Sequence, residues 1–168
     1  MIPVVPMAKM GIRLTAVKPG DRAPDFELPD QAGQPVRLQE ELAKGPVVLF
    51  FYPKAMTSGC TAESCHFRDL AAEFADVGAR RLGISADAVD RQAAFAEKNS
   101  LDYPLLSDTD RRAARLYGVK RPGPLWNRRT TFVIAQDGVV LDVIASETDM
   151  EVHADRALAT LRAHPTGD

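Results

Sequence analysis

Two cysteines are the whole thiol complement of this 168-residue chain, too few for a fold stapled by disulfides. Nor is there a surplus of charge: 21 basic residues face 23 acidic ones, a formal net charge of −2. That balance excludes a surface built to grip nucleic acid or anionic lipid through bulk charge. No apolar run approaches the roughly 20 residues that a membrane-spanning helix needs. The first ten residues contain Pro3 and Pro6 and no early positive charge, unlike a secretory leader. Histidine is scarce, and His66, His153 and His164 share no ligand spacing. Cys60, Cys65 and His66 together leave a tetrahedral zinc site without its fourth member. The glycines follow no phosphate-cradling pattern. These absences point to a protein that needs no cofactor and no metal. The expected setting is cytoplasmic and reducing, where paired cysteines are more often chemical than structural.

What is present reads as one globular domain, with 45% hydrophobic and 26% charged residues. Phe26 and Leu28, then Val36 and Leu38, alternate with polar residues around Asp30-Gln31-Ala32-Gly33. This predicts a hairpin over residues 25–38. Val47 to Tyr52 has no polar break and ends at Pro53, the pattern of a central strand buried on both faces. A loop to Gly59 follows, then a helix to about Val77, because Phe67, Leu70, Ala71, Phe74 and Val77 recur at three- and four-residue steps. Gly78 suits the stop. Arg81 to Ser85 alternates as a strand, and Asp87 is placed to cap a helix through Phe95 and Ala96. Tyr103 to Leu106 is extended, and Asp108 opens a short helix ending near Gly118. Beyond the Arg-, Pro- and Gly-rich loop 120–128, strands over 130–135 and 139–145 flank the turn Gln136-Asp137-Gly138. A last helix spans Met150 to about His164. The order implies an α/β domain, a central mixed β-sheet flanked by helices with an N-terminal β-hairpin. Residues 1–15 read as an extension, 16–164 as the domain and 165–168 as a tail.

The chemistry concentrates in Pro53-Lys54-Ala55-Met56-Thr57-Ser58-Gly59-Cys60-Thr61-Ala62-Glu63-Ser64-Cys65. Thr57 and Ser58 both suit an N-cap, so Cys60 falls in the first helical turn with either. Unpaired backbone N–H groups and the positive end of the helix dipole converge there and favour a thiolate over a thiol. Cys65 follows five positions later. On a regular helix the two Cα atoms stand about 8–9 Å apart, beyond the roughly 7 Å that a disulfide spans. A bond between the two sulfurs therefore requires the first turns of the helix to unwind.

Pro53-x-x-x-Thr57-x-x-Cys60 resembles the active-site signature of the peroxiredoxins, and Cys65 matches the second cysteine of their bacterioferritin-comigratory (Q-type) branch. Phe50-Phe51-Tyr52-Pro53-Lys54, Cys65-His66-Phe67-Arg68-Asp69 and Arg129-Thr130-Thr131-Phe132-Val133-Ile134 are similar to that branch as well. The resemblance runs from about Ala16 to His164; Ser58 stands where the branch often has proline. It implies a thioredoxin-like fold and a thiol-dependent peroxidase acting on hydrogen peroxide and organic hydroperoxides. Cys60 would be the nucleophile, oxidised to a sulfenic acid, and Arg129 the cation that favours its thiolate and polarises the peroxide. The Thr57 hydroxyl and the backbone N–H groups near Gly59 and Cys60 would hold the peroxide oxygens, and Pro53 would shield the sulfur from water. Cys65 would resolve the sulfenic acid as a disulfide, which thioredoxin or a similar dithiol would reopen. A monomer or weak dimer is implied.

Glu63, Met56 and Trp126 carry no catalytic assignment: Glu63 suits the helix dipole or a pairing with a neighbouring base, and the other two suit an exposed loop. Two further readings of the cysteine pair stay open. One is a protein thiol–disulfide oxidoreductase, although the chain has no C-x-x-C. The other, non-enzymatic, is a redox sensor, or a protective binding protein whose oxidised form exposes apolar surface.

Overall fold

The computed structural model describes residues 17–123 and 125–164. The expected extension 1–15 and tail 165–168 lie outside the described residues. Strands β1 (Glu27–Pro29) and β2 (Pro35–Arg37) form the N-terminal hairpin, antiparallel with Leu28 opposite Val36. The Asp30 carboxylate closes its turn by accepting from the Ala32 and Gln34 N–H groups. Leu38 does not continue the strand. It opens a short helix, α1 (Leu38–Leu42), whose buried Leu38 and Leu42 face the core, so helical spacing overrides the apparent alternation.

The main sheet contains β3 (Val47–Phe51), β4 (Arg80–Ser85), β5 (Leu105–Ser107), β6 (Thr130–Ile134) and β7 (Val140–Ala145), in the order β5-β4-β3-β6-β7. β3 runs parallel to β4 and antiparallel to β6, which makes the sheet mixed. Every residue of β3 is buried. Leu49 and Phe51 pack on one side with Tyr117 and Phe132. Val48 and Phe50 pack on the other with Phe67, Phe74 and Leu158.

The helix expected to reach Val77 is two helices, α2 (Ser58–Asp69) and α3 (Ala71–Asp76), separated at Leu70 with φ −97°, ψ 22°. The apolar stripe crosses the break because both pieces bury the same face. Phe67 stacks on Phe50 with ring centroids 4.1 Å apart, and this contact seats α2 on the sheet. Gly78 takes φ +70°, the left-handed conformation that ends a helix at low steric cost. Helices α4 (Val89–Asn99), α5 (Arg112–Tyr117) and α6 (Met150–Ala163) complete the layers. Asp108 caps α5 by accepting from the Ala113 and Ala114 N–H groups, and Asp149 caps α6 through the Val152 N–H. Asp87 does not cap α4; its side chain turns into the loop after β3 instead. Among the described residues no helix is long and apolar enough to cross a membrane.

Candidate active site

Residues 52–57 carry the chain from the end of the central strand to the start of α2. Met56 takes φ +71°, an uncommon conformation for a residue with a side chain. Two hydrogen bonds support the turn: the Ala55 N–H donates to the Asp87 carboxylate at 2.7 Å, and the Thr57 hydroxyl donates to the Lys54 carbonyl at 2.8 Å. Asp87 also accepts from the Ser85 hydroxyl at 2.7 Å. Gln92 donates to Ser85 and accepts from the Tyr52 hydroxyl, which extends the network through the interior. Thr57 occupies the N-cap position in extended backbone, but its hydroxyl does not cap the helix. Pro53 and Gly59 are half-buried beside it.

Cys60 therefore sits in the first turn of α2 with its side chain fully buried in an apolar cluster. It is not sealed in hydrocarbon. Arg129, immediately before β6, brings Nη1 to 3.4 Å from Cys60 Sγ and donates from the same nitrogen to Glu63 Oε1 at 2.7 Å. Arg129 is buried while its neighbour Arg128 is exposed, which separates the two adjacent arginines. The Arg129 N–H donates to Glu147 Oε2 at 2.9 Å and fixes the backbone at that point. At Gly59 a Cβ would stand 3.2 Å from Arg129 Nη2 and 3.5 Å from Met150 Sδ. The missing side chain thus makes room for the guanidinium.

Glu63, given no catalytic role by the sequence, pairs with the basic Arg129 and lies at the centre of this network. Three residues beyond Cys60 it falls on the same helical face, and that spacing was a usable signal. Burial pushes its carboxyl up to about 8, against the opposing pull of Arg129. Burial works to lower the Arg129 pKa, but the negative charge of Glu63 and Cys60 outweighs it and the net direction is upward. Glu63 Oε2 has no hydrogen-bond partner among the described residues. His153 Nδ1 stands 3.6 Å from it, too far for a hydrogen bond. Burial lowers the His153 pKa. The Ser146 carbonyl, 2.9 Å from Nε2, can only accept, so Nε2 carries the proton and Nδ1 accepts from the Thr131 hydroxyl at 2.8 Å. No sequence signal ties His153 or Glu147 to Cys60, because each reaches the site from a different element.

Cys65 lies further along α2, half-buried, with Sγ 3.7 Å from Asn99 Oδ1. Both cysteines are free thiols. His66 pairs with Asp155 at 2.7 Å, away from either sulfur's partners, and Trp126 is exposed. No group of three or more metal-ligating His, Cys, Asp or Glu side chains occurs among the described residues.

The AhpC/TSA family model matches residues 19–143. The crystal structure of peroxidoxin BcpB from Mycobacterium tuberculosis superposes with a TM-score of 0.86 at 60% identity, covering 88% of this chain and 98% of that one. Peroxiredoxin Bcp of Escherichia coli strain K12 is 36% identical over 157 residues, 90% of this chain and 99% of that protein. A Xanthomonas campestris bacterioferritin comigratory protein, solved in work on its alkyl peroxide reduction activity, superposes with a TM-score of 0.78 at 32% identity over 84% of this chain and 92% of that one. On this evidence of sequence and fold, the chain belongs to the AhpC/TSA family as a peroxiredoxin of the bacterioferritin-comigratory, Q type, a thiol peroxidase.

Proposed function

We propose that Cys60 is the peroxide-reducing nucleophile and Cys65 its resolving partner. The observation that carries this reading is the Arg129 guanidinium 3.4 Å from Cys60 Sγ at the start of a helix. Cation and helix terminus both favour the thiolate. The Cys60 sulfur attacks the terminal oxygen of ROOH; the S–O bond forms as the O–O bond breaks. Cysteine is oxidised to sulfenic acid, and the peroxide is reduced to ROH, whose oxygen takes up one proton. Negative charge grows on the leaving oxygen, where donors fixed in advance are most effective. Arg129, the backbone N–H groups at Gly59 and Cys60 and the Thr57 hydroxyl are those donors, with Pro53 limiting access of water. Thr57 turns from the Lys54 carbonyl to meet the peroxide.

Cys65 then attacks the sulfenic sulfur. The S–S bond forms, the S–O bond breaks, and the hydroxyl leaves as water with the Cys65 proton. A thioredoxin-type dithiol returns both thiols by exchange. Hydrogen peroxide and organic hydroperoxides are both substrates in this reading; partly buried Met56 and Met150 give the site an apolar flank suited to the latter. The complete burial of Cys60 disfavours direct exchange with protein disulfides. A cytoplasmic monomer or weak dimer is the expected working form.

The test is peroxide consumption with thioredoxin, thioredoxin reductase and NADPH. Cys60→Ser should lose the activity. Cys65→Ser should complete one turnover and stall as sulfenic acid. Undiminished activity in Cys60→Ser overturns the nucleophile, and undiminished cycling in Cys65→Ser overturns the resolver.

A further inference from the structure

We infer that Tyr103 is a positioning residue for the resolving step, a latch that holds the helix between the two cysteines closed until the disulfide forms. The inference rests on the proposed Cys60–Cys65 disulfide and adds what controls its rate. Ser64 separates the cysteines' turns, and in a regular helix its carbonyl accepts from the N–H of residue 68. Here that carbonyl takes a second hydrogen bond, from the Tyr103 hydroxyl at 2.7 Å. The phenol is buried at 4% exposure, and burial raises its pKa well above the ordinary tyrosine value, so it remains a donor.

Tyr103 is itself braced. Its ring meets Phe50 edge-on at 5.7 Å, and the Arg81 guanidinium lies 4.9 Å above it. Arg81 is gripped by both Asp102 oxygens and donates to the Phe67 carbonyl at 2.8 Å, one of the last carbonyls of α2. Gln31, from the N-terminal hairpin, donates to the Tyr103 carbonyl and accepts from the Leu105 N–H. The tyrosine is therefore a fixed post. The helix is what moves.

The two ends of the segment differ in how oxidation affects them. Conversion of Cys60 to a neutral sulfenic acid removes the thiolate charge beside Arg129, which keeps its bond to Glu63, so the grip on the first turn weakens at the sulfur. Nothing in that step touches the bond from Tyr103 to Ser64, which must break before Cys65 can approach. A hydrogen bond that must be broken early in the opening slows it in proportion to its net strength.

The test is Tyr103→Phe, which keeps the ring and removes the hydroxyl while Ser64 retains its partner within the helix. After one equivalent of hydrogen peroxide and rapid quenching, mass spectrometry follows sulfenic acid and disulfide separately. The expected result is disulfide formation about fivefold faster, equivalent to about 1 kcal/mol at 25 °C, with the rate of sulfenic acid formation unchanged. Sulfinic acid formed under excess peroxide should fall by a similar factor, a partition that a general loss of stability does not produce. In the reduced protein the Arg68 amide should exchange about fivefold faster. Disulfide formation no faster than wild type, or an unchanged Arg68 amide, overturns the latch. Absence of a Cys60–Cys65 disulfide in the oxidised wild type overturns the role of Cys65 instead, so the two failures are distinguishable.

Discussion

Cys60 and Cys65 occupy one helix, about 1.4 turns apart, in contrasting surroundings. Cys60 is fully buried, beside a guanidinium that also binds Glu63. Cys65 is half-buried, and its sulfur faces the Asn99 amide oxygen at 3.7 Å. The first half of α2 is held by a guanidinium that reaches the sulfur itself. The second half is held by hydrogen bonds to the segment 99–103 that leave the sulfur without a guanidinium contact, among them Arg68 to the Asn99 carbonyl and Tyr103 to the Ser64 carbonyl. The division matches the two demands of the chemistry. A thiolate needs a permanent counter-charge in a dry site, whereas a resolving thiol needs to be able to leave its position. In the proposed cycle, charge lost on oxidation of Cys60 loosens the first half alone, so the reaction itself would alter the balance between the two ends.

The sharpest way to break this contrast is to remove the charge at the first end. Arg129→Gln retains polar donors and much of the length but drops the cation. Single-turnover formation of sulfenic acid should slow by about 10²–10³-fold, as for loss of one fixed donor at a developing oxyanion. Alkylation of Cys60 by iodoacetamide at pH 7 should slow as well, while that of Cys65 should be unchanged. Equal effects on both thiols would mean that the variant had loosened the helix as a whole.

Glu63→Gln tests whether the buried carboxyl belongs to the charge network. Its folded pKa, about 8, lies above the ordinary value of 4.5, so the native state binds more protons than the unfolded chain between those limits. Glu63 therefore contributes stability in full below about pH 4.5 that is lost as the pH rises through 8. The glutamine variant lacks that loss. The difference in unfolding free energy, variant minus wild type, should grow with pH at up to about 1.4 kcal/mol per unit. Urea denaturation at pH 5, 6, 7 and 8 measures it. Parallel curves would show that Glu63 does not titrate in this window.

Much of this arrangement is legible in the sequence, and the failures share a physical cause. Val47 to Tyr52 identifies the central strand because its burial on both faces is local to the chain. The position of Cys60 follows from strand, loop and helix in succession. Arg129 was identified by the motif that it begins, and the buried position before β6 separates it from Arg128. Leu38 and Leu70 misled because apolar spacing survives a change of backbone: Leu38 fits a strand or a helix, and the stripe through Leu70 continues across the break. The position of His153 beside Glu63 was invisible because α6 joins the site from about 90 residues away (a tertiary contact, with no trace in local spacing).

Asp87 was misread for the same reason, and it supplies the smallest effect and a contrast with Arg129. As a residue just before a helix it suggested a cap, but its carboxylate supports the active-site turn through the Ala55 N–H. One oxygen, Oδ2, accepts from both Ala55 and Ser85. The other faces Arg91, which is 45% exposed, so that ion pair is well screened. An amide oxygen can therefore replace the carboxylate at Oδ2. Asp87→Asn should change stability by less than about 0.5 kcal/mol and leave single-turnover peroxide reduction within about twofold. Asp87→Ala leaves the buried Ala55 N–H unpaired and should destabilise by about 1–3 kcal/mol. If asparagine proves as damaging as alanine in chemical denaturation, charge supports the turn as well. The first half of the site would then be electrostatic throughout, where the hydrogen bonds at Ala55 and Ser85 assign this corner to geometry and the corner at Arg129 to charge.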